Sequence, residues 1–363
     1  MNRTTRIVDI ARDLGVSTAT VSKALSDEDD ISPAMKKRVL ERCRELNYWP
    51  NLAARGLVTG RTYVIGLVIP DLRHSFFANI AMGIMRKVHP AGYTLVFVNS
   101  VEDPELERSE LEQLVARKVD GIILASAQHR GYSRVLRELQ THQVPFVLID
   151  RPLKGVKADF VGADDEEIGR LATGHLIQRG CRAVAHVGCP QVATGPGRFK
   201  GYQTALAEAG LQAAESYIAE AANSIEAGQE AMSSLLRLRS RPDGVFCFND
   251  LVAAGAMKAI LDAGLRIPED IAIIGTGNLH YSDLLRVPLS SIDPDSSRIG
   301  EQAADFLLER IGGKSPRSPR IFLMPLKLVV RDSSRAALGA AAQTSTDEDR
   351  ARRCRAKAVR HAG

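Results

Sequence analysis

No apolar run in this chain reaches the ~18–20 residues that a membrane-spanning helix needs, which excludes that class of protein. The start, Met1-Asn2-Arg3-Thr4-Thr5-Arg6, has no apolar stretch behind it, and the expectation is a cytoplasmic protein with no secretory leader. The five cysteines, Cys43, Cys181, Cys189, Cys247 and Cys354, are odd in number and scattered, without a C-x-x-C pair. With no H-E-x-x-H either, a disulfide framework and a metal site both lose support. Aromatic residues are scarce at 5%, and Trp49 is the only tryptophan. Gly195-x-Gly197 and Gly275-x-Gly277 do not extend to a dinucleotide fingerprint, since Lys200 stands where a third glycine belongs. No Walker A loop and no nucleophile elbow occur, so no cofactor is expected and a sugar-processing α/β enzyme is disfavoured.

What is present points elsewhere. A length of 363 residues suggests two or three domains. The 48 Lys and Arg against 43 Asp and Glu give a net charge of +5. Much of that excess crowds into the last residues, Arg350 to Arg360, so charge alone does not establish nucleic-acid binding. Ile7, Ile10, Ala11 and Leu14 recur at helical spacing, and Gly15 supplies a left-handed stop. Ser17 caps a second helix whose apolar stripe is Val21, Ala24 and Leu25. Ser32-Pro33 starts a third helix running through Val39, Leu40 and Cys43 to about Asn47. Two short helices around a glycine turn form the helix-turn-helix pattern, in which the second helix enters the major groove. Its first turns present Ser17, Thr18, Ala19, Thr20, Ser22 and Lys23. Small side chains allow close backbone approach, a methyl group meets a thymine methyl, and a lysine donates to guanine or phosphate.

The run Asp9-Ile10-Ala11-x-x-Leu14-Gly15-Val16-Ser17-x-x-Thr20-Val21-Ser22-Lys23-Ala24-Leu25 resembles the headpiece of the lac repressor (LacI/GalR) family of bacterial regulators. The similarity continues through Ile31-Ser32, Val39 and Asn47-Tyr48-x-Pro50-Asn51-x-x-Ala54-Arg55-x-Leu57, and extends to about residue 332. Arg6 departs from the family's usual threonine, which leaves Thr5 as the expected cap of the first helix and a candidate DNA contact. The resemblance implies a headpiece over residues 1–49 and a hinge over 50–60 that folds on DNA. It places Leu57 in the minor groove as a wedge, with Asn51, Ala54 and Arg55 on or near that groove. Gly56 stands where serine is commoner and costs up to ~1 kcal/mol in a helix, so hinge folding here is expected to depend more heavily on DNA.

From Tyr63 the pattern becomes alternating β and α. Apolar strands are expected at 64–69, 95–98, 121–124, 146–149, 183–187, 244–248 and 271–274, with helices near 77–88, 105–117, 167–179 and 251–263. Continuous apolar strands between helices read as parallel sheets covered on both faces. The resemblance implies a two-lobed, type I periplasmic-binding-protein-like core over 61–332, beside the all-α headpiece. The lobes are expected at about 61–162 plus 291–323 and at 163–290 plus 324–332, followed by a disordered basic tail over 333–363. Leu338 is the only leucine after Leu328, so no leucine zipper forms and a homodimer is expected.

Ligands of open α/β sheets sit beyond the carboxyl ends of strands. The residues there are Asp71, Arg73, His74, Phe76 and Phe77, then Asp150, Arg198, Asn249 and Asn278. In the family, positions matching Phe76, Phe77, Asp150, Arg198 and Asn249 commonly touch effector; Arg73 and Asn278 are added from their place after strands. Competing readings stay open: Phe76 and Phe77 as core, Asp150-Arg151 as an ion pair, and Asp250 as a helix cap. Gly275-Thr276-Gly277-Asn278 replaces the family's frequent Gly-aromatic-Asp-Asp, and Arg73-His74 replaces a frequent Asn-Pro. A lost carboxylate and added bases lead to the expectation of an anionic effector, a sugar acid or sugar phosphate; the alternative is a neutral ligand with Arg73 and His74 in solvent. The functional expectation is a repressor that binds a near-palindromic operator and is controlled by a small carbohydrate-like molecule.

Overall fold

The computed structural model describes residues 5–25, 28–49, 60–128, 134–153 and 155–335. The chain divides into two compact units that meet between Thr62 and Tyr63.

Among its described residues the first unit holds three helices: α1 (Ile7–Leu14), α2 (Thr18–Leu25) and α3 (Pro33–Glu45). Gly15 ends α1 at φ 66°, and its amide closes onto the carbonyls of Ala11 and Arg12. The Ser17 hydroxyl accepts the Thr20 amide at 3.0 Å at the start of α2, and the Ser32 hydroxyl accepts the Met35 amide at 3.3 Å ahead of Pro33. Ile10, Ala11, Val21, Ala24, Val39 and Cys43 bury between the helices. Leu40 does not join them and is 43% exposed. The expected cap at Thr5 is not made: its hydroxyl donates to the Leu46 carbonyl at 3.1 Å, while the Arg6 amide donates to the Asp9 carboxylate at 2.9 Å. Residues 50–57, with Asn51, Ala54, Arg55 and Leu57, lie outside the described residues.

The second unit begins with β1 (Val64–Ile69), α4 (Ser75–Val88), β2 (Thr94–Asn99), α5 (Pro104–Ala116), β3 (Gly121–Leu124), α6 (Arg134–Thr141), β4 (Phe146–Ile149) and β5 (Asp159–Gly162). It continues with α7 (Asp165–Gln178), β6 (Val184–Gly188), α8 (Gly195–Glu208), β7 (Ile218–Glu220), α9 (Ile225–Leu236), β8 (Gly244–Cys247), α10 (Asp250–Asp262) and β9 (Ala272–Thr276). It ends with β10 (Ser290–Asp293), α11 (Ser296–Ile311), β11 (Ile321–Leu323) and β12 (Lys327–Val329). One sheet runs β11-β5-β4-β3-β1-β2, all parallel; the other runs β12-β10-β9-β8-β6-β7, with only β12 antiparallel.

Alternate residues of the central strands enter opposite cores, so both faces of each sheet are dry at its centre. In the first lobe Leu67, Ile69 and Ile123 pack under α4 and α11, whereas Val68, Ile122 and Leu124 pack under α5 and α6. In the second, Val187, Val245 and Ile273 face α9 and α10, and Phe246, Ile274 and Ile292 face α7 and α8. This two-sided burial explains why the strands read as unbroken apolar runs.

The expected lobe division needs correction at one crossing. Ser291–Asp293 belongs to the second sheet, because β10 pairs with β9 and Ile292 is fully buried in the second lobe's core. The chain crosses only after Asp293, through Pro294 and Asp295, into α11. The start of the expected tail also moves. Ser333 and Ser334 are buried in a 3₁₀ turn, where the Ser333 hydroxyl donates to the Ile273 carbonyl at 2.7 Å. Residues 336–363 lie outside the described residues.

Candidate functional site

The lobes are joined by three crossings, β5 to α7, β10 to α11, and β11 to β12. Between them lies a cleft lined by side chains of both lobes, a concave setting of the kind in which small-molecule sites form. The first lobe lines it with His74, Phe76, Phe77, Asp150 and Arg151. The second contributes Thr194, Arg198, Asn223, Phe248, Asn249 and Thr276. These side chains follow the carboxyl ends of β1, β4, β6, β7, β8 and β9, where parallel-sheet topology leaves a crevice.

Arg198 is placed by close packing of two helices. A Cβ on Gly169 of α7 would stand 2.0 Å from the Arg198 carbonyl oxygen, so only glycine lets α8 approach α7 this closely. The guanidinium then donates from Nε to Asp165 at 3.0 Å and from Nη1 to the Phe248 carbonyl at 2.6 Å, with its carbon 4.5 Å from the Phe248 ring centre. Burial pushes the Asp165 carboxyl up to about 7 against the opposing pull of Arg198. Asp150, at φ 60°, is also raised by burial, and Arg151 Nε lies 3.7 Å from it. Arg151 spends its other nitrogens on Glu102, at 2.6 and 2.7 Å. Its Nε and the Thr276 hydroxyl are buried without a hydrogen-bond partner among the described residues.

Phe76 and Phe77 belong to the first lobe's core and also line the cleft, so the two readings of these residues coexist. The Asn249 side-chain oxygen caps α10 by accepting the Val252 amide at 2.9 Å, while its amide nitrogen donates to Asn223 at 2.7 Å. Asp250 is not the cap. It is fully buried and accepts from Ser282, Ser291 and the Leu279 amide at 2.7–2.9 Å, fixing the loop after β9.

Two expected effector residues are elsewhere. Arg73 is 88% exposed and folds back on Asp71, whose carboxylate takes its Nε and Nη2 at 3.1 Å each. Asn278 is spent on the protein itself: its amide nitrogen donates to Asp293 at 2.8 Å and its oxygen accepts from Arg331 at 2.6 Å. His74, next to Arg73, does reach the cleft, with Nδ1 accepting the Phe76 amide at 3.3 Å and Nε2 lying 3.4 Å from the Asn249 amide nitrogen. Burial pushes its imidazole down to about 4, so it carries no charge near neutral pH. Asn223 and Thr276 were absent from the expected set, and His74 was expected there only as an added base. Asn223 follows β7, a three-residue strand with no apolar run to announce it; Thr276 ends β9 and was legible from that position alone.

In the first unit, Ser17 is exposed just ahead of α2, and Thr18, Ala19 and Ser22 are exposed on it, opposite Val21 and Ala24, with Thr20 and Lys23 half-exposed. The Lys23 ammonium is held by Asp30, with Glu28 at 3.9 Å. The Thr5 hydroxyl is engaged by Leu46. No helix among the described residues is long and apolar enough to cross a membrane, and none of their side chains cluster as a metal site.

Comparison with known proteins agrees with this anatomy. The family described as "Bacterial regulatory proteins, lacI family" matches residues 6–51, and "Periplasmic binding proteins and sugar binding domain of LacI family" matches 62–332. The HTH-type transcriptional repressor PurR of Mannheimia succiniciproducens is 33% identical over 328 residues, covering 90% of this chain and 98% of its own. PurR of Pasteurella multocida is 34% identical over 333 residues, covering 92% and 99%. A solved complex of the transcriptional regulator CelR with cellobiose shares 28% identity and a TM-score of 0.69, over 91% of this chain and 99% of that one. The lac repressor dimer bound to operator and the anti-inducer ONPF has the same fold, with a TM-score of 0.80 at 24% identity, over 92% of this chain and 100% of that one. This chain belongs to the LacI family: it is a DNA-binding transcriptional repressor with a ligand-binding domain, and not an enzyme.

Proposed function

We propose that the repressor acts in the cytoplasm as a homodimer on a near-palindromic operator and is controlled by an uncharged, ring-shaped, carbohydrate-like effector. In the headpiece, Ser17, Thr18, Ala19, Thr20, Ser22 and Lys23 face the major groove, Lys23 leaving Asp30 for DNA. Asn51, Ala54, Arg55 and Leu57 engage the minor groove. In the cleft, Arg198 and Asp150 grip neighbouring hydroxyls, Asn249, Asn223 and Thr276 read further polar edges, and Phe76, Phe77 and Phe248 cover the ring faces.

The observation that carries the effector class is the charge balance of the cleft. Arg198 is paired with Asp165 and Arg151 with Glu102, while Asp150 stands beside Arg151. Arg73 is outside and His74 is neutral. The added positive charge on which a sugar acid or sugar phosphate would depend is therefore absent from these two residues. A second reading, a planar nitrogen heterocycle, draws on the three phenylalanines and the paired amides of Asn223 and Asn249. A thermal-shift panel of neutral monosaccharides, sugar acids, sugar phosphates and purine bases tests the choice, since a ligand of the native state raises the melting temperature by mass action. Shifts confined to neutral sugars support the first reading. Shifts confined to bases favour the second, and shifts confined to anions overturn both.

A further inference from the structure

In a parallel sheet every loop that enters a strand lies along one rim. In the first lobe these loops are 89–93, 117–120, 142–145, 155–158 and 312–320. They carry Arg117, Lys118, Lys157, Lys314, Arg317 and Arg320, and a single acid, Asp120. Asp120 accepts the Tyr63 amide at 2.9 Å. Asp159, the first residue of β5, is fully buried and neutralised by Arg310 at 2.7 Å and Arg320 at 2.8 Å, and Arg320 also pairs with Glu309. The acids of the rim are thus spent. Lys157, Lys314 and Arg317 are exposed and make no ion pair among the described residues. Lys157, Arg310 and Arg317 line an open groove together with Gln140 and Gln143.

The matching rim of the second lobe is more evenly charged. Its loops set Glu215, Asp243, Glu269 and Asp270 against Arg179, Arg182, Arg237, Arg239, Arg241 and Arg266, and Arg266 pairs with Asp270 at 2.7 Å. Among the described residues, the strongly one-sided rim is therefore that of the lobe that the chain enters at Tyr63, directly after the segment leading from the helix-turn-helix unit. The fitting occupant is a repeating anion at close range, and this protein's polyanionic partner is double-stranded DNA.

We propose that the strand-entry rim of the first lobe, through Lys157, Lys314 and Arg317 with Arg117 and Lys118 beside them, binds backbone phosphates of the duplex that carries the operator. The core then contributes directly to DNA affinity, without reading sequence.

The test uses the full-length protein and a duplex of about 40 base pairs selected by the wild type from a random-sequence library, long enough to extend past an operator of two half-sites. Binding is followed by fluorescence anisotropy from about 50 to about 300 mM KCl for the wild type, for Lys157→Gln/Lys314→Gln/Arg317→Gln, and for Lys200→Gln/Lys258→Gln/Arg266→Gln. The last variant removes the same charge from the second lobe. Each lost phosphate contact lowers the slope of log K against log salt by about 0.9. The expected result is a shallower slope and weaker binding at the lowest salt for the rim variant alone, with its melting temperature unchanged. A rim variant with the wild-type slope overturns the proposal. So does an equal loss in both variants, which would assign the effect to net charge.

Discussion

Replacing His186 makes a test of the second lobe's interior that separates titration from packing. Its imidazole is wholly buried beside the rings of Phe246, Phe199 and Tyr202, at centroid distances of 4.9, 5.8 and 5.3 Å. Burial pushes it from 6.5 down to about 4, against the hydrogen bond that Nδ1 makes to the Phe246 carbonyl at 3.1 Å. A histidine whose folded value lies below its unfolded one leaves the unfolded chain binding more protons between those two values. Stability is then complete above about pH 6.5 and falls as pH drops toward about 4. At about pH 5 the unfolded side chain gains about 2 kcal/mol from protonation that the folded one forgoes, and at about pH 8 almost none. His186→Phe removes that contribution at both pH values while imposing a pH-independent repacking cost of about 1–3 kcal/mol. The destabilisation measured by urea unfolding is therefore about 2 kcal/mol smaller at the acid pH than at the alkaline one. His74, His175 and Asp165 titrate in the same window, but they are common to both proteins and cancel in the difference. Equal destabilisation at the two pH values, repeated with His186→Leu, would refute the reasoning by showing that His186 does not stay neutral.

Further outcomes follow from the cleft and the headpiece. Arg198→Met leaves the buried Phe248 carbonyl without its donor and lets Asp165 protonate, which costs about 1–3 kcal/mol in urea unfolding and abolishes the effector-induced thermal shift. Gly277→Asp does not restore the family's missing carboxylate: at φ 125° a side chain costs about 1–3 kcal/mol, read as a lowered urea midpoint with no new ligand response. Asp30→Asn frees Lys23 from its ion pair, so binding to a non-operator duplex becomes more salt-dependent, its slope steepening by about 0.9 for one added phosphate neutralised by Lys23. Trp49 is 86% exposed, and its emission should shift to shorter wavelength when operator is added; unchanged emission would mean that its surroundings stay the same on DNA.

Legibility in the sequence followed the strength of local chemistry. Caps and stops needed only neighbouring residues, so Gly15, Ser17 and Ser32-Pro33 marked their helices. Central strands buried on both faces announced themselves as apolar runs, whereas β7 and β11 stand at sheet edges, and Ile321, Phe322 and Leu323 are all exposed. Such strands are held by backbone pairing and carry little pattern. The candidate site divided in the same way. Position after a strand located Asp150, Arg198 and Asn249, but it cannot say which of two adjacent side chains turns inward. Arg73 turned out because Asp71 captures it, and His74 turned in because it caps α4. Asn278 was lost to Arg331, a partner 53 residues away.

The cleft's construction also says how a ligand can act at a distance. His74, Phe76, Phe77, Asp150 and Arg151 belong to one sheet's lobe, and Arg198, Asn223, Phe248, Asn249 and Thr276 to the other. A ligand touching both sets binds best at one separation of the lobes and less well at others. That difference in affinity is the whole of the free energy available to shift the protein between arrangements. Asp165 makes the site's internal pair part of this balance, because it opens the first crossing's helix while holding the Arg198 that lines the cleft. A ligand that draws on Arg198 therefore acts on a group fixed to the segment joining the two lobes. The reciprocal consequence is that operator and effector must change each other's affinity by the same factor. Titrating effector against free and operator-bound protein, and operator against free and effector-bound protein, has to return one number.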